Sequence, residues 1–138
     1  MIYYSADLHM GHKNIIRLCK RPFADVEEMD KTIIKRWNSV VTPQDTIYVL
    51  GDFSWAKGDQ LRAYFNALNG KKHLIIGNHD QVGITLDGWE SISDLKEIMT
   101  NGQRIVLCHY AMRIWNKSHK GSWHLYGHSH GSLPDDPN

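Results

Sequence analysis

Short apolar runs alternate with amphipathic stretches through the first half of the chain. The apolar runs cover residues 2–6, 46–50 and 73–76, and each one ends in polar residues. Between them, residues 25–40 and 59–68 place apolar side chains at helical spacing, with charged residues on the other positions. The order strand, helix, strand, helix, strand is typical of a parallel sheet with crossover helices.

Local signals mark where the helices begin. Asp25 followed by Glu28 forms a capping-box pattern, and Asp59 is expected to cap the next helix. A shorter helical turn is expected over residues 14–19, ahead of Pro22. The expected inner-face residues are Val26, Met29, Ile33, Trp37 and Val40 in the first long helix, and Leu61, Tyr64, Phe65 and Leu68 in the second.

The pattern changes in the second half of the chain. Residues 94–99 and 104–108 read as strands joined through Asn101-Gly102, a strong hairpin signal. A last short strand is expected over 123–126, and the tail from 134 to 138 is expected to fray. We therefore predict one α/β domain over residues 1–138. Its central sheet would be mixed, parallel first and antiparallel after the hairpin, with helices outside.

Composition narrows the class of protein. The chain has 138 residues, enough for one domain with a core, and a net charge of +1 that gives no overall basic field for nucleic acid. Cys19 and Cys108 form no paired motif, which favours a reduced, cytoplasmic protein. No run is long enough to span a membrane, and the N-terminus lacks the features of a signal peptide. Nine histidines are the one unusual feature.

Chemically active side chains follow the predicted strands. In an open α/β sheet, ligands bind outside the carboxyl ends of the strands, so we expect these side chains to meet at one edge of the sheet. Taken strand by strand, they are Asp7 and His9, then Asp52, then Asn78, His79 and Asp80, then His109, and finally His128 and His130.

This mixture of carboxylate, carboxamide and imidazole suits divalent Mn, Fe, Zn, Ni or Co. Seven ligands are too many for one ion that keeps an open position, and they suit two ions that share a bridging carboxylate. Two such ions can clamp a phosphate and activate water at neutral pH. The competing interpretation is turn chemistry with surface histidines, as in an Asn-His-Asp turn that caps the next element.

Other side chains near these motifs have two interpretations each. His12 could reach a substrate or be a solvated residue ahead of a helix. Arg113 and Lys117, with His119 and Lys120 in the same loop, could bind further phosphates or simply face water. Four aromatic residues could stack on a base or pack the loops, namely Phe53, Trp55, Tyr110 and Trp115. His73 and His124 are expected to be structural.

Taken together, the motifs resemble a known family. Asp7-x-His9, Gly51-Asp52, Gly77-Asn78-His79-Asp80, His109 and Gly127-His128-x-His130 are similar, in order, to the five-block signature of calcineurin-like metallophosphoesterases. The resemblance covers residues 7 to 130. It implies two packed sheets with flanking helices, here with a short C-terminal end. It also implies a shallow, open pocket, because the chain has no room for a cap.

The resemblance also implies roles for individual residues. Asp7, His9 and His130 would hold one ion, Asn78, His109 and His128 would hold the other, and Asp52 would bridge both. His79 would lie over the phosphate and either donate to a non-bridging oxygen or protonate the leaving group, with Asp80 orienting it. Manganese is the favoured metal, and a metal-bound hydroxide would attack phosphorus.

The expected function is therefore a hydrolase, a phosphodiesterase or phosphatase acting on small phosphate esters or nucleotides without a membrane partner. One alternative is a protein-interaction scaffold of the same fold with weak or no catalysis. Another is a nuclease on longer nucleic acid, which the near-neutral charge disfavours and only a basic strip beside the site would support. The sequence does not define the oligomeric state.

Overall fold

The computed structural model describes residues 1–134, so the expected fraying of the tail beyond them lies outside the described residues. The first half contains β1 (Ile2–Ser5), α1 (Lys13–Leu18), α2 (Val26–Val40), β2 (Thr46–Val49), α3 (Gly58–Ala67) and β3 (Lys71–Ile75). The second half contains β4 (Ser91–Ser93), β5 (Leu95–Thr100), β6 (Gln103–Cys108) and β7 (Trp123–Leu125). Short 3₁₀ turns cover Gly83–Thr85 and Ser118–Lys120.

The strands form two sheets. The first has four parallel strands in the order β1-β2-β3-β4. The second has three strands in the order β5-β6-β7, with β5 antiparallel and β7 parallel to β6. The prediction of one mixed central sheet is therefore wrong, whereas the mixed α/β class is confirmed. The hairpin at Asn101-Gly102 is also confirmed, and both residues have positive φ.

Strand β4 was not predicted from the sequence. Its three residues, Ser91, Ile92 and Ser93, form no apolar run, and Ile92 is exposed. The strand is instead defined by its parallel register with His73, Leu74 and Ile75 of β3. Because a register of this kind depends on backbone pairing, hydrophobic periodicity cannot reveal it.

The first sheet is covered on both faces. Alternate residues of β2 point to opposite sides, so Ile47 and Val49 pack on the helices while Tyr48 packs towards the second sheet. The helix-side core includes Trp37 of α2 and Phe65 of α3. The core between the sheets contains Tyr48, Leu50, Ile75, Ile105 and Leu107. The molecule thus has three layers, helices, parallel sheet and mixed sheet.

Helix α2 begins as the sequence predicts, because the Asp25 carboxylate accepts from the Glu28 amide and Glu28 accepts from the Ala24 amide. Two details differ. Val40 is 55% exposed, since it is the last residue of the helix. The cap of α3 is Lys57, not Asp59, because the helix already starts at Gly58 and Asp59 falls inside the first turn.

The carboxyl ends that carry the site belong to both sheets, which corrects the expected single edge. The His109 ring, just after β6, donates from Nδ1 to the Leu50 carbonyl after β2 at 2.7 Å. Behind it, the Gly127 amide after β7 donates to the His109 carbonyl at 3.0 Å. These bonds hold the strand ends of the two sheets together. Within residues 1–134, no helix is long and apolar enough to cross a membrane.

Candidate metal centre

The backbone at the site is unusual. In the described part of the chain, eight non-glycine residues have positive φ, a region that L-residues rarely adopt. Five of those eight are predicted metal ligands, namely Asp7, His9, Asp52, His128 and His130. Strain of this kind persists where the surrounding structure holds it in place, and it concentrates at functional sites.

Two groups of side chains converge and could each hold a metal ion. Asp7, His9 and His130 form the first, and Asp52, His109 and His128 form the second; within each group the potential ligand atoms lie within 4.8 Å of one another. The Asn78 carboxamide oxygen joins the second group, at 3.2 Å from His109 Nε2 and 3.3 Å from His128 Nδ1. The structure thus brings together all seven side chains predicted as ligands.

Asp52 lies between the two groups. Its Oδ2 atom is 3.5 Å from His9 Nε2 and 3.4 Å from His109 Nε2. Its Oδ1 atom accepts from the His79 amide at 3.0 Å, which fixes the rotation of the carboxylate. Burial acts to raise the pKa of Asp52, but the contact with His109 and the His79 amide outweigh it and lower the pKa.

His109 is held in one tautomer. Because a carbonyl only accepts, the contact with Leu50 places a hydrogen on Nδ1 and leaves Nε2 facing Asp52 and Asn78. Burial acts to lower the pKa of His109, but the bonds to Asp52 and Leu50 together raise it.

His9 behaves differently, although it faces the same carboxylate. It is 3% exposed, and burial lowers its pKa to about 3 against the opposing effect of Asp52. Its Nε2 atom is buried without a hydrogen-bond partner among the described residues, while its Nδ1 lies 3.3 Å from His12 Nδ1. A neutral imidazole with an unpartnered nitrogen directed at a carboxylate is a ligand set that a divalent cation would satisfy.

Asp7 is the carboxylate of the first ligand group, which it forms with His9 and His130. Its Oδ1 accepts from the His128 amide at 3.0 Å and lies 3.9 Å from His130 Nε2. Burial raises the pKa of Asp7, and the His128 amide opposes that shift.

The loop that carries Asp7 is fixed by Arg21, whose guanidinium donates to the carbonyls of Asp7 and Leu8 at 2.6 and 2.9 Å. No sequence signal pointed to Arg21.

Asp80 has a different role from the expected one. It is fully buried, and its two oxygens accept from the amides of Asp52, Phe53 and Gly77 at 2.8, 2.9 and 2.7 Å. The expectation that Asp80 orients the His79 ring is therefore corrected, because its carboxylate binds backbone amides. Asp80 instead ties the loop after β2 to the loop after β3.

Two glycines are required by close approach. A Cβ atom on Gly51 would lie 2.3 Å from His109 Nδ1, and one on Gly77 would lie 2.5 Å from Asp52 Oδ1. Since real Cβ contacts are never this short, any side chain at either position would displace a candidate ligand. The two glycines that begin the central motifs therefore belong to the site geometry.

A group of aromatic rings lies beside the first group of ligands. The His12 ring stacks on Trp55 with centroids 4.4 Å apart and an angle of 11°. The half-buried His79 ring lies edge-on to Trp55 at 5.2 Å and to His9 at 5.8 Å. His79 and His12, both singled out from the sequence, therefore face the site, and Trp55 joins them.

The remaining sequence candidates divide between the site and the rest of the fold. Tyr110 lies 5.0 Å from the His128 ring and is 45% exposed, whereas Phe53 is fully buried against Phe65 and Trp89. Trp115 donates to the Ser122 carbonyl, away from the ligands. Arg113 and Lys117 are exposed in the loop after β6. Their proposed contact with substrate stays a prediction.

The two expected structural histidines make structural contacts. His73 Nδ1 lies 2.6 Å from the Ser91 hydroxyl, and its ring stacks on Tyr48. His124 Nδ1 lies 3.1 Å from the Val106 carbonyl, while its Nε2 accepts from the Met112 amide.

Comparisons with known proteins place the chain in a family. It is 38% identical over 137 residues to the "Uncharacterized protein MJ1445" of Methanocaldococcus jannaschii, a match that covers 98% of this chain and 72% of that protein. The chain therefore belongs to the MJ1445 family. It is also 43% identical over 82 residues to the Gene 66 protein of Mycobacterium phage L5, covering 56% of this chain and 39% of the phage protein. No protein-family model matches the chain.

A solved structure shares the fold. The protein of unknown function AQ665 from Aquifex aeolicus superposes with a TM-score of 0.68 at 35% identity. The match covers 87% of this chain and 67% of the Aquifex chain. The α/β fold of this chain is thus shared with a solved protein.

Proposed function

We propose that the protein is a phosphoesterase that depends on two divalent metal ions, with the sandwich fold and site of the calcineurin-like metallophosphoesterases. The observation that carries this proposal is the position of Asp52. One of its oxygens lies within 3.5 Å of an imidazole from each ligand group, as expected of a carboxylate that bridges two ions. Asp7, His9 and His130 would hold one ion, with Asn78, His109 and His128 holding the other.

Two ions here would stabilise the charge that develops on a transferring phosphoryl group and would activate a water molecule as nucleophile. Neighbouring protein residues orient the imidazole ligands. Leu50 fixes the tautomer of His109, and His12 contacts the Nδ1 atom of His9, so both rings present Nε2 to Asp52. The ions expected from this ligand chemistry are Mn first, with Fe, Zn, Ni or Co as alternatives.

His79 is the group best placed to act on the substrate. Its amide is bonded to Asp52, while its ring is 5.8 Å from His9 and half-buried, and it is not a member of either ligand group. A substrate phosphate over the ligands would therefore meet the His79 ring. The ring would donate a proton to the departing alcohol oxygen.

The openness of the site supports small or extended esters over a deeply enclosed ligand. Asn78, His128 and His130 are all exposed, so three of the proposed ligands face solvent. A phosphomonoester or phosphodiester can reach such a site without the movement of a lid.

We place the protein in the cytoplasm on the same proposal, as a metal-dependent hydrolase without structural disulfides.

Hydrolysis of a chromogenic phosphomonoester and of its diester counterpart tests the proposal. The protein is stripped of metal and then given Mn, Ni, Zn or Mg in turn. Turnover restored by a metal supports the proposal, and the ratio of the two rates distinguishes phosphodiesterase from phosphatase. Absence of turnover with every metal, although two ions bind, would instead favour a scaffold without catalysis.

A further inference from the structure

Four aromatic rings mark a path across the candidate metal centre. Trp55 is 5.2 Å from His79, His79 is 5.8 Å from His9, and His9 is 5.2 Å from His130, in each case between ring centroids. One end of this path is therefore Trp55, and the other end is the turn that carries His130. Of the proposed ligands, His9 lies between the two ends and His130 forms the second end.

The first end offers an aromatic surface. Trp55 is 50% exposed even though one side of its ring stacks on His12. Its position is thus held by a neighbour while half of its surface stays in contact with solvent. An exposed, supported indole beside a phosphate site is the platform on which single-stranded nucleic acids stack a base.

The second end opens into a cavity of about 560 Å³. One wall is the end of α1, residues Leu18, Cys19 and Lys20, and the other is the turn around His128 and His130. The volume falls in the range of about 300–1,000 Å³ that is usual for ligand sites. Lys20 is the only cation of this wall, and its backbone has a φ of +50°.

Helix α1, whose end lies beside this cavity, carries a basic strip, of which Lys20 lines the cavity itself. Lys13 and Arg17 are four residues apart and share one face of the helix, and Lys20 lies two residues beyond the last helical residue, Leu18. All three side chains are exposed. The ion pairs formed within residues 1–134 include none of them, so their charge is available to a ligand. A local strip of this kind is compatible with a net charge of only +1.

We infer that the protein takes single-stranded nucleic acid as its substrate, with a base on Trp55, the scissile phosphodiester over the metal centre and the flanking phosphates at Lys20, Arg17 and Lys13. This inference rests on the proposed function for the cleavage step. Water supplies the oxygen that bonds to phosphorus, one P–O ester bond breaks, and the alcohol that departs takes a proton. The products are a phosphomonoester end and a hydroxyl end.

The platform favours a single strand over a duplex. A base can cover the Trp55 ring only when it is unstacked from its neighbour, and this unstacking is costly in a paired helix. The flanking cations would add affinity that does not depend on sequence and weakens as salt increases. DNA and RNA strands share this chemistry, so both are tested.

Equilibrium binding of labelled 12-residue strands tests the inference without requiring turnover. The probes are oligo(dT), oligo(U) and a DNA duplex of equal length, made with phosphorothioate linkages that keep the charge and resist hydrolysis, and binding is followed by fluorescence anisotropy over a salt series. The variants are K13Q/R17Q/K20Q, Trp55→Ala and Trp55→Phe. The control is K35Q/R36Q/K71Q, which removes three exposed charges from the outer side of α2 and from the start of β3, at the opposite end of that strand from the site.

We expect at least one of the two single strands to bind more tightly than the duplex. K13Q/R17Q/K20Q should weaken binding about ten-fold or more and flatten the salt dependence by about 0.7 per lost phosphate contact, whereas the control triple variant should not. Trp55→Ala should also weaken binding about ten-fold, with Trp55→Phe close to wild type. Equal binding of strand and duplex, or equal loss in both triple variants, would overturn the inference.

Aryl diester turnover in the same preparations separates this inference from the proposed function. Metal-dependent turnover together with no binding of either strand would leave the phosphoesterase standing and reject nucleic acid as its substrate. Binding of a strand with the expected losses, together with no turnover of any ester, would reject the phosphoesterase and keep the nucleic-acid surface.

Discussion

Asp80 accepts a hydrogen bond from the backbone amide of Asp52 at 2.8 Å, in a position where both residues are buried. The same carboxylate accepts from the amides of Phe53 and Gly77. Because Asp52 has a strained backbone with a φ of +54°, these bonds hold the proposed bridging ligand in a conformation that it would not adopt alone.

Replacing Asp80 should therefore destabilise the whole fold. Asp80→Ala leaves three buried amides without an acceptor, and we expect a loss of about 3 kcal/mol or more in the free energy of unfolding. Urea unfolding of the metal-free protein measures it. Asp87→Ala, an exposed aspartate on the same connection, serves as the control and should change stability little. Equal stability of the two variants would contradict the role assigned to Asp80.

Replacing Asp52 should affect both metal ions, whereas replacing Asp7 should affect one. Asp52→Asn removes the charge that faces His9 and His109 alike, while Asp7→Asn changes only the first ligand group. We expect the affinity for both ions to fall by at least about ten-fold in the first variant. Calorimetric titration with Mn gives the two affinities. Retention of two tight ions by Asp52→Asn would refute the bridging assignment.

Replacing His79 should separate catalysis from metal binding. The ring belongs to neither ligand group, so His79→Ala should keep both ions and lose about 10²–10⁴-fold in turnover. The measurement pairs metal content with the rate of diester hydrolysis. A substrate with a highly acidic leaving group should be affected less, because its departure needs no proton. Unchanged turnover on every substrate would remove His79 from the mechanism.

The metal-free protein should become less stable as the pH falls from about 6.5 to about 3. Burial lowers the pKa of His9 to about 3, so in this range the unfolded chain binds a proton at His9 that the folded chain does not. Asp7 should have the opposite effect on the free energy of unfolding in the acidic part of the range. Because burial raises its pKa, the folded chain binds a proton at Asp7 more readily than the unfolded chain does.

A comparison with His9→Gln isolates this effect. The variant lacks the titrating group, so its slope of unfolding free energy against pH should be flatter than that of the wild type over the same range. His119→Gln, which replaces an exposed histidine, is the control, and its slope should match the wild type. Chemical unfolding at a series of pH values measures the slopes. Identical slopes for His9→Gln and the wild type would show that His9 does not titrate abnormally.

The sequence predicted the parts of the site that depend on position along strands. Asp7, Asp52, Asn78, His109 and His128 each follow an apolar run. Parallel pairing brings the first three together at the end of one sheet and the last two at the end of the other, but the sequence did not show that these two ends meet. The capping box at Asp25 was likewise predictable, because it involves neighbours in sequence.

The parts that were missed depend on long-range contacts. The three amide bonds of Asp80 become visible only once β2 and β3 are adjacent, and the stacking of His12 on Trp55 joins residues more than forty positions apart. The residue pattern did not show the division into two sheets, which only the family resemblance implied, because the turn from β4 to β5 contains only Asp94 and no periodicity marks it.

The most direct test of a two-metal phosphoesterase is diester turnover measured as Mn is added to the metal-free protein, with bound ions counted in parallel. If both ions are needed, turnover should be small up to one ion per chain and rise steeply as the second ion binds. Asp52→Asn should show no such rise over the same range. Turnover that is complete with one ion, or absent with two, would contradict a two-metal mechanism.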